Sequence, residues 1–191
     1  TPVNCFRLAH FTCDSMAFTL PGVLACCKTH LVDLGTLSET FLNSKLTESL
    51  IRAAASKSWE GDMEYGIEFL NVDSRDLKGR KLSQERSGVC IFWNKHKFSQ
   101  AESKHFHGKL AHALGIEFAC AHPNPEAAEM LTLKVVALYA KQRHGEGKKE
   151  FNSELGKSVL KWVNGKDGGG RDRTYSLISG DFNWDMNKIN L

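Results

Sequence analysis

Short apolar runs alternate with segments of helical period, and this alternation constrains the fold more than any other feature. Gly88-Val89-Cys90-Ile91-Phe92-Trp93 and Leu131–Tyr139 are rich in β-branched and aromatic residues, and each is too short to span a bilayer. That pattern predicts buried strands. Phe6–Phe11, Leu31–Leu37, Tyr65–Val72, Leu114–Cys120 and Tyr175–Ser179 extend the set. Between them, Pro21 opens an expected short helix over Pro21–His30, with Val23, Leu24 and Cys27 facing inward. Leu46, Leu50, Ile51 and Ala54 recur at helical spacing and predict an amphipathic helix over Ser44–Ser58. Phe151, Leu155, Val159 and Trp162 predict another, ending near Gly165. The polar stretch Asp73–Ser87 and the Gly168-Gly169-Gly170 segment read as loops. Helices between apolar strands indicate a layered α/β domain. In such sheets active sites gather at the C-terminal ends of strands. Two carboxylates fall there: Glu39, after Leu31–Leu37, and Asp181, after Tyr175–Ser179.

A chain of 191 residues fits one domain, and 41% hydrophobic with 25% charged residues suits a packed core. Net charge +3 neither demands nor excludes a nucleic-acid partner. The six cysteines contain no C-x-x-C pair, and their apolar neighbourhoods suggest reduced thiols in an intracellular compartment. No run is long enough to cross a membrane, and no signal peptide is visible. The first residue is Thr1, so a removed transit peptide stays open.

The segment that bears most on chemistry is Ser179-Gly180-Asp181-Phe182-Asn183. Gly180 lets the backbone turn sharply. Asp181 can ligate Mg²⁺ or hold a water, and Asn183 can donate to a phosphate oxygen. The same residue types also make ordinary turns.

With this segment stand three others. Val32-Asp33-Leu34-Gly35-Thr36-Leu37-Ser38-Glu39-Thr40 resembles the "D-I-x-x-L-Q-E-T" segment of the endonuclease/exonuclease/phosphatase superfamily. Ser179–Asn183 resembles its "G-D-F-N" motif, and Arg86–Phe92 its "G-G-V-A-I" strand. Leu133–Tyr139 is similar to the strand ending in Tyr that precedes its long helix. Order and rough spacing agree from Phe6 to Asn183, and Asp181–Asp185 looks most like the endonuclease domains of non-LTR retroelements. The resemblance implies one domain over 1–191 with a four-layer α/β/β/α sandwich of the DNase I-like type. It implies Mg²⁺-dependent phosphodiester hydrolysis, with Glu39 as metal ligand, Asp181 orienting or deprotonating the attacking water, and Asn183 holding the scissile phosphate.

The chain departs from the family pattern at Thr12, where the family usually has Asn, at Ser38, often Gln, and at Ala140-Lys141, often Pro. The family's later segment, with its Ser-Asp-His ending, does not occur within these residues, so the C-terminal strands of the second sheet are expected to be missing. No other histidine replaces that His: His10 reads as structural, and His105-x-His107 as a solvated polar segment rather than a zinc site with His112 or Cys120. Basic residues at Lys78, Arg80, Lys81 and Arg86, at Lys141, Arg143, Lys148 and Lys149, and at Arg171 and Arg173 would grip phosphates from loops at the active edge. Trp93, Trp162 and Trp184 read as core or rim aromatics rather than base-stacking platforms, with Trp184, next to Asn183, the best exception. Two functions follow: a Mg²⁺-dependent endonuclease-like domain acting on nucleic acid, or an inactive descendant with a structural or binding role in a larger assembly. Either implies a protein partner or further chain to cover the incomplete sheet, and no membrane.

Overall fold

The computed structural model describes residues 6–12, 16–38, 40, 64–75, 81–108, 111–121, 130–140, 154–165 and 174–181. Glu39, Asn183, Trp184, the expected helix Ser44–Ser58, the triple-glycine loop and the Lys141–Lys149 and Arg171–Arg173 groups lie outside them.

Two four-stranded sheets pack face to face. The first has the order β1 (Leu8–Thr12), β2 (Leu34–Ser38), β4 (Lys81–Asn94), β3 (Tyr65–Arg75). The second runs β5 (Phe98–His107), β6 (Ala111–Ala121), β7 (Met130–Ala140), β8 (Thr174–Asp181). The β1–β2 and β7–β8 pairs are parallel; the other pairs are antiparallel.

Alternation along each strand sorts the side chains into three apolar layers. Leu34, Leu70, Val89, Ile91 and Trp93 of the first sheet meet Leu114, Ile116, Phe118, Val135 and Ala137 of the second. On the outer face of the first sheet, Val23 and Cys27 of α1 (Met16–Thr29) cover Leu37, Ile67, Phe69, Cys90 and Phe92. On the outer face of the second, Leu155 and, from α2 (Gly156–Asn164), Val159, Trp162 and Val163 cover Phe106, Ala113, Val136 and Leu138. The expected α/β/β/α order is therefore present. Gly115 admits Trp162, whose ring lies where a Cβ would stand, at 2.8 Å.

Two sequence expectations need correction. The stretch Asp73–Ser87 is not one loop: β3 continues to Arg75 and β4 starts at Lys81, a long hairpin whose backbone ladder persists without an apolar pattern. The segment around His105 and His107 is solvated as expected, and it lies on strand β5, which pairs with β6. Helix α1 begins at Met16, so Pro21 sits inside it, at the loss of one backbone bond. That helix ends at Thr29, and the chain then passes through Leu31 in the left-handed region (φ 52°), with Val32 N–H donating to Cys27 C=O at 2.8 Å.

Candidate active site

β1 and β2 run parallel in register, Thr12 opposite Ser38, so both end at one edge of the sandwich. β8 runs parallel to β7 and ends at the same edge, with Asp181 opposite Tyr139. Thr36 and Ser38 are two residues apart on β2, as Ser179 and Asp181 are on β8. Strand alternation turns each pair toward the facing sheet. They meet in two rungs. Thr36 Oγ1 donates to Ser179 Oγ at 3.0 Å, and Asp181 N–H donates to Ser38 Oγ at 3.2 Å. Ser38 Oγ in turn donates to the Leu138 carbonyl at 3.4 Å. These rungs join the two sheets at the C-terminal ends of β2 and β8.

His10 stands on β1 behind the first rung, its Nδ1 2.8 Å from Thr36 Oγ1. Although the residue is exposed overall, packing around the ring holds its pKa below the ordinary 6.5; the negative charge of Asp181 and a hydrogen bond to the Thr36 backbone work against that shift. Asp181 thus lies within electrostatic reach of His10. On the other side of Asp181, register continues across the second sheet through Tyr139 to His112 and His107. The His112 and Tyr139 rings are 6.5 Å apart and tilted by 31°.

The expected site residues divide clearly. Asp181 is placed at a strand end, half-buried, with its backbone fixed; Glu39 and Asn183 lie outside the described residues. Ser38, which the motif comparison marked as a departure, is the acceptor for the Asp181 amide. His10, read as structural, is coupled to Asp181 by charge. The signal available in the sequence was the matched period-two polar pairs, Thr36/Ser38 and Ser179/Asp181. His105 and His107 stack edge to face at 6.0 Å, but Cys120 is at the far end of β6, opposite Phe98. Among the described residues no group of three metal-ligating side chains occurs.

Mg²⁺ takes oxygen ligands and keeps several waters. Of the hydroxyls flanking Glu39 in the sequence, that of Thr40 is buried and lacks a hydrogen-bond partner among the described residues, whereas that of Ser38 already bonds the Leu138 carbonyl and the Asp181 amide. A separate groove of about 620 Å³ lies on the outer face between β5 and α2, lined by Lys104, Phe106, Lys134, Lys161 and Trp162; it contains none of these residues.

No protein-family model and no curated protein matches the chain. Solved structures do. The mannosyl-6-phosphatase Bt3783 of Bacteroides thetaiotaomicron is 13% identical, with a TM-score of 0.60, over 96% of this chain and 67% of that one. D. rerio TDP2 complexed with single-strand DNA product is 13% identical, with a TM-score of 0.52, over 94% of this chain and 61% of that one. The human Nocturnin catalytic domain with bound sulfate is 16% identical, with a TM-score of 0.53, over 85% of this chain and 56% of that one. The chain thus spans a little over half of the Nocturnin domain it matches. A further match is an endonuclease/exonuclease/phosphatase family protein of Bacteroides thetaiotaomicron. With its two packed sheets and its helix on each outer face, the chain has the DNase I-like fold of the endonuclease/exonuclease/phosphatase superfamily.

Proposed function

We propose that this chain is a Mg²⁺-dependent phosphodiesterase domain of the endonuclease type that acts on nucleic acid. The observation that carries the reading is the pair of rungs between β2 and β8, which joins the end of β8 at Asp181 to the end of β2 at Ser38. Asp181, with its amide fixed on Ser38, accepts a hydrogen bond from the attacking water, orients it, and takes its proton as the new phosphorus–oxygen bond forms and the bond to the leaving strand's oxygen breaks, that oxygen taking a proton from solvent. Asn183 donates its amide to a non-bridging phosphate oxygen. Glu39 would hold Mg²⁺, which when bound offsets charge developing on the phosphate. The DNA product bound to a protein of the same fold supports nucleic acid as the substrate class. The retroelement likeness rests on the Asp181–Asp185 run and on the helix expected before it, Phe151–Val163.

A second reading, an inactive subunit with a structural or binding role in a larger assembly, draws on Thr12. It ends β1 opposite Ser38, where the family pattern has Asn, and a hydroxyl cannot reproduce a carboxamide's paired donor and acceptor. Nicking of supercoiled plasmid decides between them. The first reading expects relaxed circles with Mg²⁺ and none with EDTA or after Asp181→Ala. Folded protein that leaves the plasmid intact with Mg²⁺ supports the second.

A further inference from the structure

We propose that Ser38 is a positioning residue of the Asp181 site: its buried hydroxyl pins the last residue of β8 to the last residue of β2 and so sets where the Asp181 side chain starts. This deepens the proposed function and rests on it for the catalytic consequence.

Three strands converge on one oxygen. Ser38 closes β2 and is fully buried, at 0% exposure. Its Oγ accepts from the Asp181 N–H at 3.2 Å and donates to the Leu138 carbonyl at 3.4 Å. Leu138 and Asp181 lie on β7 and β8, neighbours in the second sheet, whereas β2 belongs to the first. A hydroxyl carries one proton and two lone pairs, so giving the proton to Leu138 leaves the oxygen able to receive the amide. Both bonds are therefore made at once, and one side chain from the first sheet holds both strands of the second. Two residues back, Thr36 and Ser179 make a similar crossing.

These polar rungs stand at the end of an otherwise apolar interface, where Leu34, Val89 and Ile91 face Leu114, Ile116, Val135 and Ala137. Apolar contact is non-directional and tolerates small sliding of one sheet over the other. A hydrogen bond restricts both distance and angle. Burying hydroxyls costs desolvation that apolar side chains escape, which fits a role in placement rather than in stability. Register with β7 ends at Asp181, and the Ser38 bond falls on that last residue, where strands fray most readily. A carboxylate that must meet an attacking water is sensitive to a shift of about 1 Å. Ser38 thus ties the placement of Asp181 to the sheet opposite.

Two measurements on the full chain test this, each with Lys134→Met as a control that weakens the fold away from the site. The first is amide hydrogen exchange. Ser38→Ala should speed exchange at the Asp181 amide about tenfold or more relative to amides in the middle of β7 and β8, whereas Lys134→Met should show no such local excess. An Asp181 amide no more exposed than its strand overturns the clamp, whether or not the protein is a nuclease. The second is single-turnover cleavage of a labelled oligonucleotide with Mg²⁺. Ser38→Ala should lower the maximal rate about 10–100-fold with half-saturation unchanged. Ser38→Thr, which keeps the hydroxyl, should regain most of that rate, and Lys134→Met should cleave as wild type. An unchanged maximal rate in folded Ser38→Ala, a loss confined to half-saturation, or a folded Ser38→Thr as slow as Ser38→Ala overturns the positioning role. Should the added methyl unfold Ser38→Thr, the exchange and rate of Ser38→Ala decide. If the folded wild type does not cleave at all, the functional reading fails while exchange still decides the clamp.

Discussion

Replacing Gly180 with alanine should break the site from behind. Gly180 lies between Ser179 and Asp181 and pairs with Leu138 of β7. A Cβ there would sit 1.9 Å from the Leu138 carbonyl oxygen, 2.7 Å from its carbon and 2.8 Å from its nitrogen, and real Cβ contacts essentially never fall below 3.0 Å. All three atoms are backbone, so no rotamer change relieves the clash. The strands must part locally by about 1 Å, with an overpacking cost of about 1–3 kcal/mol. One or two weakened ladder bonds add about 1 kcal/mol each. The total, about 2–5 kcal/mol, is a large part of the 5–15 kcal/mol that holds a typical domain. Gly180 also has φ 159°, at the margin of what other residues adopt. In a chain of this size the expected fall in melting temperature is roughly 4–20 °C. Calorimetry or urea unfolding of Gly180→Ala measures it, and hydrogen exchange should show β8 amides losing protection first. A variant within about 0.5 kcal/mol of wild type, with β8 protection intact, would refute the claim that β8 is held against β7 through this glycine.

Lys134 supports the opposite face. It is 2% exposed, and its ammonium donates to the Trp162 and Gly165 carbonyls at 3.2 Å each, closing the last turn of α2. Lys134→Met keeps the stem but not the donors, and should cost about 1–3 kcal/mol in urea unfolding, with faster exchange at the end of α2. Stability should also depend on His10. Its folded pKa lies below the ordinary 6.5, so the unfolded chain binds more protons; the stability it contributes is complete above 6.5 and is lost as pH falls through that value toward the folded one. His10→Asn should therefore lose less melting temperature than wild type between neutral pH and about pH 5. Burial, with Cys26 adding to it, pushes the Cys27 thiol up to about 12, so mass spectrometry after alkylation at mildly basic pH should find Cys27 unmodified in folded protein and modified in urea.

The sequence shows the fold where apolar burial makes the strand. Gly88–Trp93 and Leu131–Tyr139 declare themselves because both faces of the sheet are covered there. β5 does not. It is an edge strand whose residues are exposed from Ser99 to His105, with Phe98 and Phe106 as its buried residues, so its pattern is that of a polar loop and its structure comes from pairing with β6. The extensions of β3 and β4 escape for the same reason. At the site, Asp181 is legible through its motif. Ser38 and Ser179 are not, because a serine that joins two sheets looks like any strand serine until the strands are placed. His10 reads as a framework residue because its relation to Asp181 spans the length of the chain and exists only after folding. Asp33 carries the opposite lesson. It lies in the motif beside Glu39, yet its buried carboxylate accepts from Arg7 N–H at 3.1 Å and pairs with Lys97 at 2.7 Å, at the far end of β2 from the site.

The most direct test of the central claim is the single-turnover cleavage rate of a labelled oligonucleotide by wild type and by Asp181→Asn, each with Mg²⁺ and with EDTA. An activated water that depends on Asp181 predicts a metal-dependent rate that drops by about 10²–10⁴-fold in the variant, with folding unchanged. Cleavage at the same rate in both proteins, or none by folded wild-type protein with Mg²⁺, would contradict it.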